Sequence, residues 1–225
     1  MRQLGDRQKA DHSKRFFKTG PGEYGEGDEF WGIPVPALRK LVPKHPEVTI
    51  ADATRLLRSP IHEERLLALF FLVQRYQKGD AQDRAQIYHH YLTHTRYINN
   101  WDLVDASAQH ILGAFLYLRD KAPLFQLARS ADLWERRIAV MATFHFIRNQ
   151  EFSATLKIAR LLLADRADLI HKAVGWMLRE VGKRNITVEE KFLKKHCQKM
   201  PRTMLRYAIE KFPADLRQKY LKGNI

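Results

Sequence analysis

Cysteine, long apolar runs and secretory signals are all missing or scarce in this sequence. Its one cysteine, Cys197, has no second cysteine to pair with, so an intramolecular disulfide and a cysteine-based zinc finger are excluded. The longest apolar run, Leu66 to Val73, is eight residues long, well short of the roughly 20 that a membrane-spanning helix needs. No apolar signal segment lies in Met1 to Arg15. These absences favour a protein of the reducing cytoplasm with no membrane partner.

Acidic side chains are scarce relative to basic ones. Lysine and arginine total 39 against 25 aspartates and glutamates, which gives a formal charge of +14. Residues 183–225 alone hold 12 basic and 4 acidic side chains, together with apolar residues at helical spacing. We therefore expect a folded basic surface there and a polyanionic partner. The ten histidines form no HExxH or similar pattern, so neither a metal nor a cofactor is expected.

Apolar residues recur at helical spacing from about residue 50 onward, and nothing there indicates a strand. Alanines recur every 33 to 38 residues, at Ala68, Ala106, Ala139, Ala173 and Ala208. Two-helix units of this length are typical of an all-α, HEAT-like helical-repeat solenoid with one concave face, here basic. We expect a single domain over 1–225, with N-terminal helices and a Gly/Pro-rich loop in 1–50 and repeats in 51–222. An irregular helical bundle is the alternative, since alanine is a common residue.

Two stripes run along the helix predicted over Leu169 to Lys183. The inward stripe is apolar and comprises Ile170, Val174, Met177, Leu178 and Val181. The other stripe has steps of four, three and four, and comprises Lys172, Trp176, Arg179 and Lys183. A tryptophan among cations indicates a surface that another molecule covers, with a neighbouring helix as the alternative cover.

The segment Tyr97 to Leu118 places a carboxylate beside a tryptophan. Its predicted inward stripe is Val104, Ala108, Ile111, Phe115 and Leu118. Trp101 and Asp105 are one turn apart and share a face at the edge of that stripe. Asp105 is therefore expected to be partly desolvated and to need a cationic partner. Asp102 is expected to complement the helix dipole, with Asn99 or Asn100 as the cap.

A third helix of interest begins at Leu133. Trp134 is in line with Ile138 and Met141, so it is predicted to lie in the core. Arg136 and Arg137 are adjacent and cannot both point inward. At least one of the two is expected to project from the surface.

Four ordered motifs span nearly the whole chain. They are Arg15-Phe16-Phe17-Lys18 with Phe30-Trp31-Gly32-Ile33-Pro34-Val35-Pro36-Ala37-Leu38-Arg39, Asn100-Trp101-Asp102-Leu103-Val104-Asp105, Trp134-Glu135-Arg136-Arg137, and Lys172-Ala173-Val174-Gly175-Trp176-Met177-Leu178-Arg179-Glu180. Together they resemble the AlkD-like DNA alkylation repair glycosylases. The resemblance implies a solenoid that wraps duplex DNA in a basic groove and excises cationic N3- and N7-alkyl purines, which initiates base excision repair. A wrapping solenoid needs no second copy, so we expect a cytoplasmic monomer, associated with the nucleoid through its DNA.

Carried over position by position, the resemblance implies roles for individual residues. The catalytic aspartate falls on Asp105, and the two tryptophans that flank the lesion fall on Trp101 and Trp176. The third aromatic of the pocket, usually a tyrosine in this family, falls on Phe16, and Tyr24 in the glycine-rich loop is the alternative. The residues expected to bind the DNA backbone are Arg137, Arg179, Lys172 and Lys183.

The chemistry suits these residue types. An N-alkylated purine is cationic, and an indole face attracts a cation by roughly 0.5 to 2 kcal/mol. Because the base departs neutral, no general acid is needed, and Asp105 would stabilise an oxocarbenium-like sugar and orient water. No Schiff-base lysine is required, so no strand cleavage is expected. Two alternatives stay open, a non-catalytic solenoid that binds nucleic acid and a HEAT-like scaffold for an acidic protein.

Overall fold

The computed structural model describes residues 1–225 as two compact units, residues 1–111 and residues 112–225. The first unit contains α1 (Arg7–Phe16), α2 (Val35–Leu41), α3 (Ile50–Leu57), α4 (His62–Lys78), α5 (Ala81–Thr93) and α6 (Trp101–Ser107). The second contains α7 (Ala114–Leu116), α8 (Ala122–Leu127), α9 (Leu133–Arg148), α10 (Ser153–Leu161), α11 (Asp168–Gly182), α12 (Ile186–His196), α13 (Arg202–Ala208) and α14 (Ala214–Lys222). The expectation of a single domain stays a prediction.

The predicted all-α fold is confirmed. No strand forms, and the one extended pairing is an isolated parallel bridge between Glu29 and Ile61. Short 3-10 turns occupy Arg2–Leu4, Val42–Lys44, Thr95–Tyr97, Cys197–Lys199 and Ile209–Lys211. A bilayer-crossing helix would need more length and apolar surface than any helix here has.

Helix α4 is the centre of the first unit and packs against α2, α3, α5 and α6. Its residues from Leu66 to Leu72 are all buried, because neighbours cover this helix on several sides. A capping box formed by Thr49 and Asp52 begins α3, and Asp80 caps α5 by accepting from two backbone N–H groups. The first unit is thus a set of short helices arranged around one long apolar helix.

The second unit is built from successive helix pairs. Helix α9 packs against α8, α10 and α11, and α11 packs in turn against α12 and α13. Four of the five repeat alanines are fully buried, namely Ala68, Ala139, Ala173 and Ala208. The fifth, Ala106, is half-buried. Small residues at the repeated position allow close helix contacts, which accounts for the alanine period seen in the sequence.

The predicted inward position of Leu118 is wrong. Val104, Ala108, Ile111 and Phe115 are buried as expected, whereas Leu118 is 85% exposed. A π-helical turn over Gln109–Gly113 follows α6, and its extra residue rotates the later positions around the helix axis. Helix α7 then ends at Leu116, so Leu118 lies beyond the helix.

Candidate active site

A buried asparagine fixes the start of α6. Asn100 is completely buried, and its Oδ1 accepts a hydrogen bond from the Trp101 backbone N–H at 2.8 Å. Its Nδ2 donates to Asp28 Oδ2 at 3.2 Å, which ties the cap to the segment that follows the glycine-rich loop. Asn100 is therefore the cap, of the two asparagines considered from the sequence. Trp101 and Asp105 follow as the first and fifth residues of the helix.

Three aromatic rings meet at this helix start. The Phe16 ring makes an edge contact with Trp101 at a centroid distance of 5.8 Å and an interplanar angle of 71°. The Phe17 ring is stacked on Trp101 at 5.3 Å and 18°. Phe16 is 56% exposed, and Trp101 is half-buried. The first unit therefore presents a partly open aromatic surface at the end of α1, and two of the predicted lesion-binding residues form part of it.

Asp105 lies at the boundary between the core and solvent. It is half-buried, between the fully buried Val104 and the half-buried Ala106. Burial raises the pKa of the Tyr91 hydroxyl, which is hydrogen-bonded to Ser107 Oγ at 2.8 Å, and the negative charge of Asp105 acts in the same direction. The structure thus places this carboxylate one turn from Trp101 in a partly desolvated position.

A charged layer lies behind the aromatic surface. The His62 imidazole is bracketed by two carboxylates, with Nδ1 3.0 Å from Asp28 Oδ2 and Nε2 2.8 Å from Asp102 Oδ2. The Arg65 guanidinium donates to the other oxygen of Asp28 at 2.6 Å. From the sequence, Asp102 was expected only to complement the helix dipole. Asp102 does accept from the Leu103 N–H at 2.9 Å, but its second oxygen binds His62.

The first turn of α4 also holds the segment after the glycine-rich loop. Glu63 is buried, and its carboxylate accepts hydrogen bonds from the backbone N–H groups of Trp31, Gly32 and Ile33 at 2.7 to 3.1 Å. Gly32 has φ of +75°, and a Cβ there would overlap the Asp6 carbonyl. The segment containing Asp28 and Phe30 is therefore fixed by backbone and side-chain contacts together. Tyr24, the alternative pocket aromatic, is half-buried in the loop before it.

Trp176 lies in the second unit, on α11. It is half-buried, and its ring is 6.2 Å from the Phe144 ring of α9. The Arg148 guanidinium lies 4.6 Å from the Phe144 ring centroid, and that of Arg184 lies at 5.8 Å. The neighbouring helix thus covers Trp176 only in part. The inward stripe predicted for this helix is confirmed, since Ile170, Val174, Met177, Leu178 and Val181 are all buried.

The basic side chains of the row around Trp176 have carboxylate partners within the same unit. Lys172 pairs with Asp168 at 2.7 Å, and Lys183 pairs with Glu180 at 2.6 Å. Arg179 forms an ion pair with Glu210. The lysine side chains stay about two-fifths exposed (41% and 43%), whereas that of Arg179 is 16% exposed. The row is thus less electropositive than its sequence alone indicates.

Both arginines of α9 have partners within the protein, with Arg137 buried and Arg136 half-buried at the edge of the unit. Arg136 pairs with Asp165 at 2.7 Å and donates to backbone carbonyls of the preceding turn. Arg137 is 4% exposed and donates to the Leu169 carbonyl at 2.6 Å. The DNA contact expected of Arg137 stays a prediction. Trp134 is 8% exposed, which confirms its predicted core position.

The structure brings together Phe16, Trp101 and Asp105 in the first unit, while Trp176 and the four predicted DNA-binding cations belong to the second. Convergence of the two sets on one lesion stays a prediction.

Three residues of the site, Phe17, Asp28 and His62, were not identified as functional from the sequence. One signal was available, because charged residues open an otherwise apolar helix at His62, Glu63 and Arg65. No group of three or more His, Cys, Asp and Glu side chains is arranged to hold a metal ion.

Comparison with known proteins points in one direction. A protein-family model described as DNA alkylation repair enzyme matches residues 1–212. A predicted DNA alkylation repair enzyme from Enterococcus faecalis has a similar structure, with a TM-score of 0.71 and 16% identity over 94% of this chain and 98% of its own. No curated protein matches the sequence.

Two structures from Streptococcus mutans share the fold at lower scores. AlkD2 gives a TM-score of 0.57 at 15% identity, covering 92% of this chain and 99% of its own. The protein smu.31 gives 0.50 at 17% identity, covering 92% of each chain. At these identities the likeness concerns the helical-repeat fold, which agrees with the all-α fold predicted from the sequence.

Proposed function

Because the chain belongs to the family of DNA alkylation repair enzymes, we propose that it is a DNA glycosylase for cationic alkylated purines in duplex DNA. Its substrates are N3- and N7-alkyl adenine and guanine, and the bond that it hydrolyses is the N-glycosidic bond. The observation that carries the proposal is the partly open aromatic surface of Phe16 and Trp101, one helical turn before the half-buried Asp105.

The aromatic rings supply recognition of the cationic base. A purine alkylated at N3 or N7 carries a positive charge that a neutral purine lacks. The faces of indole and phenyl rings attract such a cation, and the attraction grows as water is excluded. Trp101 and Phe16 would contact the lesion from the first unit and Trp176 from the second. The same rings discriminate poorly between neutral bases, so selectivity comes from the charge on the lesion.

Asp105 supplies the chemistry. The N-glycosidic bond breaks with its electron pair going to the base, which leaves as a neutral molecule, and positive charge develops on the sugar. A carboxylate near that sugar stabilises the charge more strongly in the transition state than in the ground state. Water then forms the new C–O bond at C1′ and loses its proton to Asp105. No lysine attacks the sugar, so the product is an abasic site in an uncleaved strand.

Basic side chains supply the remaining binding energy. The proposed phosphate contacts are Arg137, Arg179, Lys172 and Lys183. Contacts of this kind position duplex DNA without reading its sequence, as is needed by an enzyme that searches for rare lesions. The net charge of +14, more than half of which lies in residues 183–225, favours a polyanionic partner such as DNA. The proposed active form is the monomer.

The test is incubation of the protein with methylated genomic DNA and chromatographic identification of every base released. We expect 3-methyladenine and 7-methylguanine above the spontaneous rate measured without protein, and no strand breaks until the abasic sites are cleaved by alkali. Binding to duplex DNA without base release would instead indicate the non-catalytic alternative. Phosphate contacts are strongest at low salt, because they weaken steeply as the salt concentration rises. Absence of DNA binding at low salt would therefore indicate the scaffold alternative.

A further inference from the structure

The first turn of α4 carries a histidine that is enclosed by protein and held at both ring nitrogens. His62 is 1% exposed, and its Nδ1 and Nε2 lie within 3.0 Å and 2.8 Å of carboxylate oxygens. A neutral imidazole carries one N–H, so it can donate to only one of two carboxylates. The imidazolium carries two and satisfies both. The geometry therefore fits the charged form of His62.

The two carboxylates belong to different parts of the first unit. Asp28 lies in the segment after the glycine-rich loop, and Asp102 is the second residue of α6. His62 itself begins α4, and its backbone N–H donates to the Glu29 carbonyl at 2.8 Å. One side chain thus joins three separate chain segments. Such a bridge fixes the position of α6 relative to the others more firmly than apolar packing alone.

The charged layer is also continuous with the aromatic surface. The Phe17 ring lies 4.7 Å from the His62 ring on one side and 5.3 Å from the Trp101 ring on the other. Phe30 stacks on both Phe17 and His62, at 5.1 Å and 4.7 Å. A displacement of His62 would therefore be passed to Trp101 by two routes, through Phe17 and through Asp102, the neighbour of Trp101 in the chain.

We propose that His62, as an imidazolium, is a positioning residue for base excision, because it clamps the start of α6 and so fixes Trp101 and Asp105. The consequence for excision rests on the proposed function, whereas the clamp itself does not. His62 contacts neither DNA nor the reacting atoms in this proposal. Its effect passes through Asp102 and Phe17.

The charged groups around His62 act in both directions, since the carboxylates of Asp28 and Asp102 favour the imidazolium whereas the positive charge of Arg65 opposes it. Burial disfavours the charged ring, but the hydrogen bonds to Asp102 and Asp28 and their negative charges outweigh burial and raise the pKa of His62 to about 9. Arg65, on the same helix, binds the far oxygen of Asp28. The adjacent Glu63 carboxylate is taken up by the backbone of 31–33. On α6, the carboxylate that contacts His62 is that of Asp102.

The sign of the pH effect follows from these contacts. The folded pKa of His62 lies above its ordinary value of 6.5, so the clamp contributes its full stability below pH 6.5 and loses it as pH rises through about 9. Replacement of Asp102 by Asn removes one of the two charges that hold the proton. The Asp102→Asn change should therefore lower the pKa of His62 by about one to two units.

The first experiment needs no DNA. The protein is labelled with 15N-histidine and 5-fluorotryptophan, and the imidazole shifts and the Trp101 fluorine resonance are followed from pH 6 to 10.5. We expect His62 to titrate near 9 in the wild type and lower in D102N, and the Trp101 resonance to move in H62Q. His45, which pairs with Glu47 on the surface at 3.0 Å, provides the matched control H45Q, and that change should leave Trp101 unmoved.

The second experiment measures the rate of base release at saturating protein over the same pH range, with the spontaneous release subtracted. We expect the wild-type rate to fall above about pH 9, and this fall to begin at lower pH in D102N. The H62Q rate should be about tenfold lower at pH 7, which corresponds to about 1.4 kcal/mol in the activation free energy. Affinity for undamaged duplex DNA should be unchanged. H45Q should behave as the wild type.

Each outcome decides one part of the proposal. A His62 pKa at or below 6.5, or a Trp101 resonance that is the same in wild type and H62Q, overturns the clamp. If the rate of base release falls at the same pH in the wild type and in D102N, the link between the clamp and excision is overturned. If H62Q does not fold, D102N carries both tests, because asparagine keeps the size of the side chain. Absence of release by the wild type refutes the proposed function, and the first experiment still decides the clamp.

Discussion

The ring of Phe17 lies nearly parallel to the ring of Trp101, with 5.3 Å between the centroids and 18° between the planes. Phe16, its neighbour in the chain, meets the same tryptophan by its edge. Two adjacent phenylalanines thus contact one indole in different ways. Phe17 supports the ring from the protein side, while Phe16 is 56% exposed and available to a ligand.

This difference predicts that the same substitution lowers stability at Phe17 and lesion binding at Phe16. Phe17→Leu should destabilise the protein by about 1 to 2 kcal/mol, because it removes stacking on Trp101, Phe30 and His62. Phe16→Leu should change the free energy of unfolding by less than about 0.5 kcal/mol and weaken binding to DNA that holds a cationic lesion. Urea unfolding and lesion-DNA titration measure the two effects, and Tyr24→Leu tests the alternative pocket residue. Equal stability losses for F16L and F17L would contradict the assignment of support and contact.

A second prediction concerns the ion pair between Arg179 and Glu210. Glu210→Gln should free the Arg179 guanidinium, together with the Lys211 ammonium that lies 3.3 Å from the same carboxylate, and raise affinity for undamaged duplex DNA by roughly two- to fivefold at low salt, since surface pairs are worth up to about 1 kcal/mol. Arg179→Ala should lower that affinity and reduce the slope of log affinity against log salt by about 0.9, the value for one phosphate contact. Fluorescence anisotropy at several salt concentrations measures both changes.

Glu190→Gln is the matched control for this second prediction. It removes the same charge from the same unit, at a residue paired with Lys194 at 3.8 Å rather than with Arg179. An equal gain in affinity from E190Q and E210Q would show a general charge effect. The proposed contact between Arg179 and a phosphate would then lose its support.

A third prediction concerns the close approach of α11 to α13. A Cβ at Gly175 would overlap the Met204 carbonyl and the Tyr207 side chain. Gly175→Ala should therefore cost about 1 to 3 kcal/mol of stability, the usual penalty of overpacking, despite the better helix propensity of alanine. Gly20→Ala adds the same methyl group next to the flexible Glu23 carboxylate and serves as the control. Thermal unfolding measures both, and a stabilised G175A would contradict the contact.

A fourth prediction concerns pH and the buried Glu189. This residue is 1% exposed, and burial, with a contribution from Glu190, raises its pKa from 4.5 to about 8. Because the folded pKa lies above the unfolded one, stability is fully present below pH 4.5 and is lost as pH rises toward 8. Glu189→Gln should therefore stabilise the protein by up to roughly 5 kcal/mol at pH 8.5 and far less at pH 4.5. Urea unfolding at both pH values measures this, and a gain of equal size at the two would contradict the raised pKa.

Periodic features could be predicted from the sequence because they are local. The inward stripe of α11 and the core position of Trp134 follow from apolar spacing of three and four residues. The same reasoning failed at Leu118, because a single π-helical turn shifts every later position and leaves no mark in the spacing of apolar residues. Register is thus predictable only as far as the helix stays regular.

The charged layer could not be predicted because its members are distant in sequence. Asp28, His62 and Asp102 are separated by 34 and 40 positions, and no local pattern relates them. The carboxylate partners of the basic row were missed for a related reason. Summed charge records how many cations a helix has, but not that Glu210 from another helix lies against Arg179.

The most direct test of the central claim is the rate of base release by Asp105→Asn. Asparagine keeps the size and position of the side chain but carries no negative charge and is a poor proton acceptor. We expect release of 7-methylguanine and 3-methyladenine to fall by at least about a hundredfold, as general-base and electrostatic contributions of this kind imply, while affinity for duplex DNA stays within about twofold. Asp83→Asn, which removes a surface carboxylate of the same unit that pairs with Arg75 at 3.5 Å, is the control for a general loss of charge and should release both bases at the wild-type rate. Release by D105N at the wild-type rate would contradict the account.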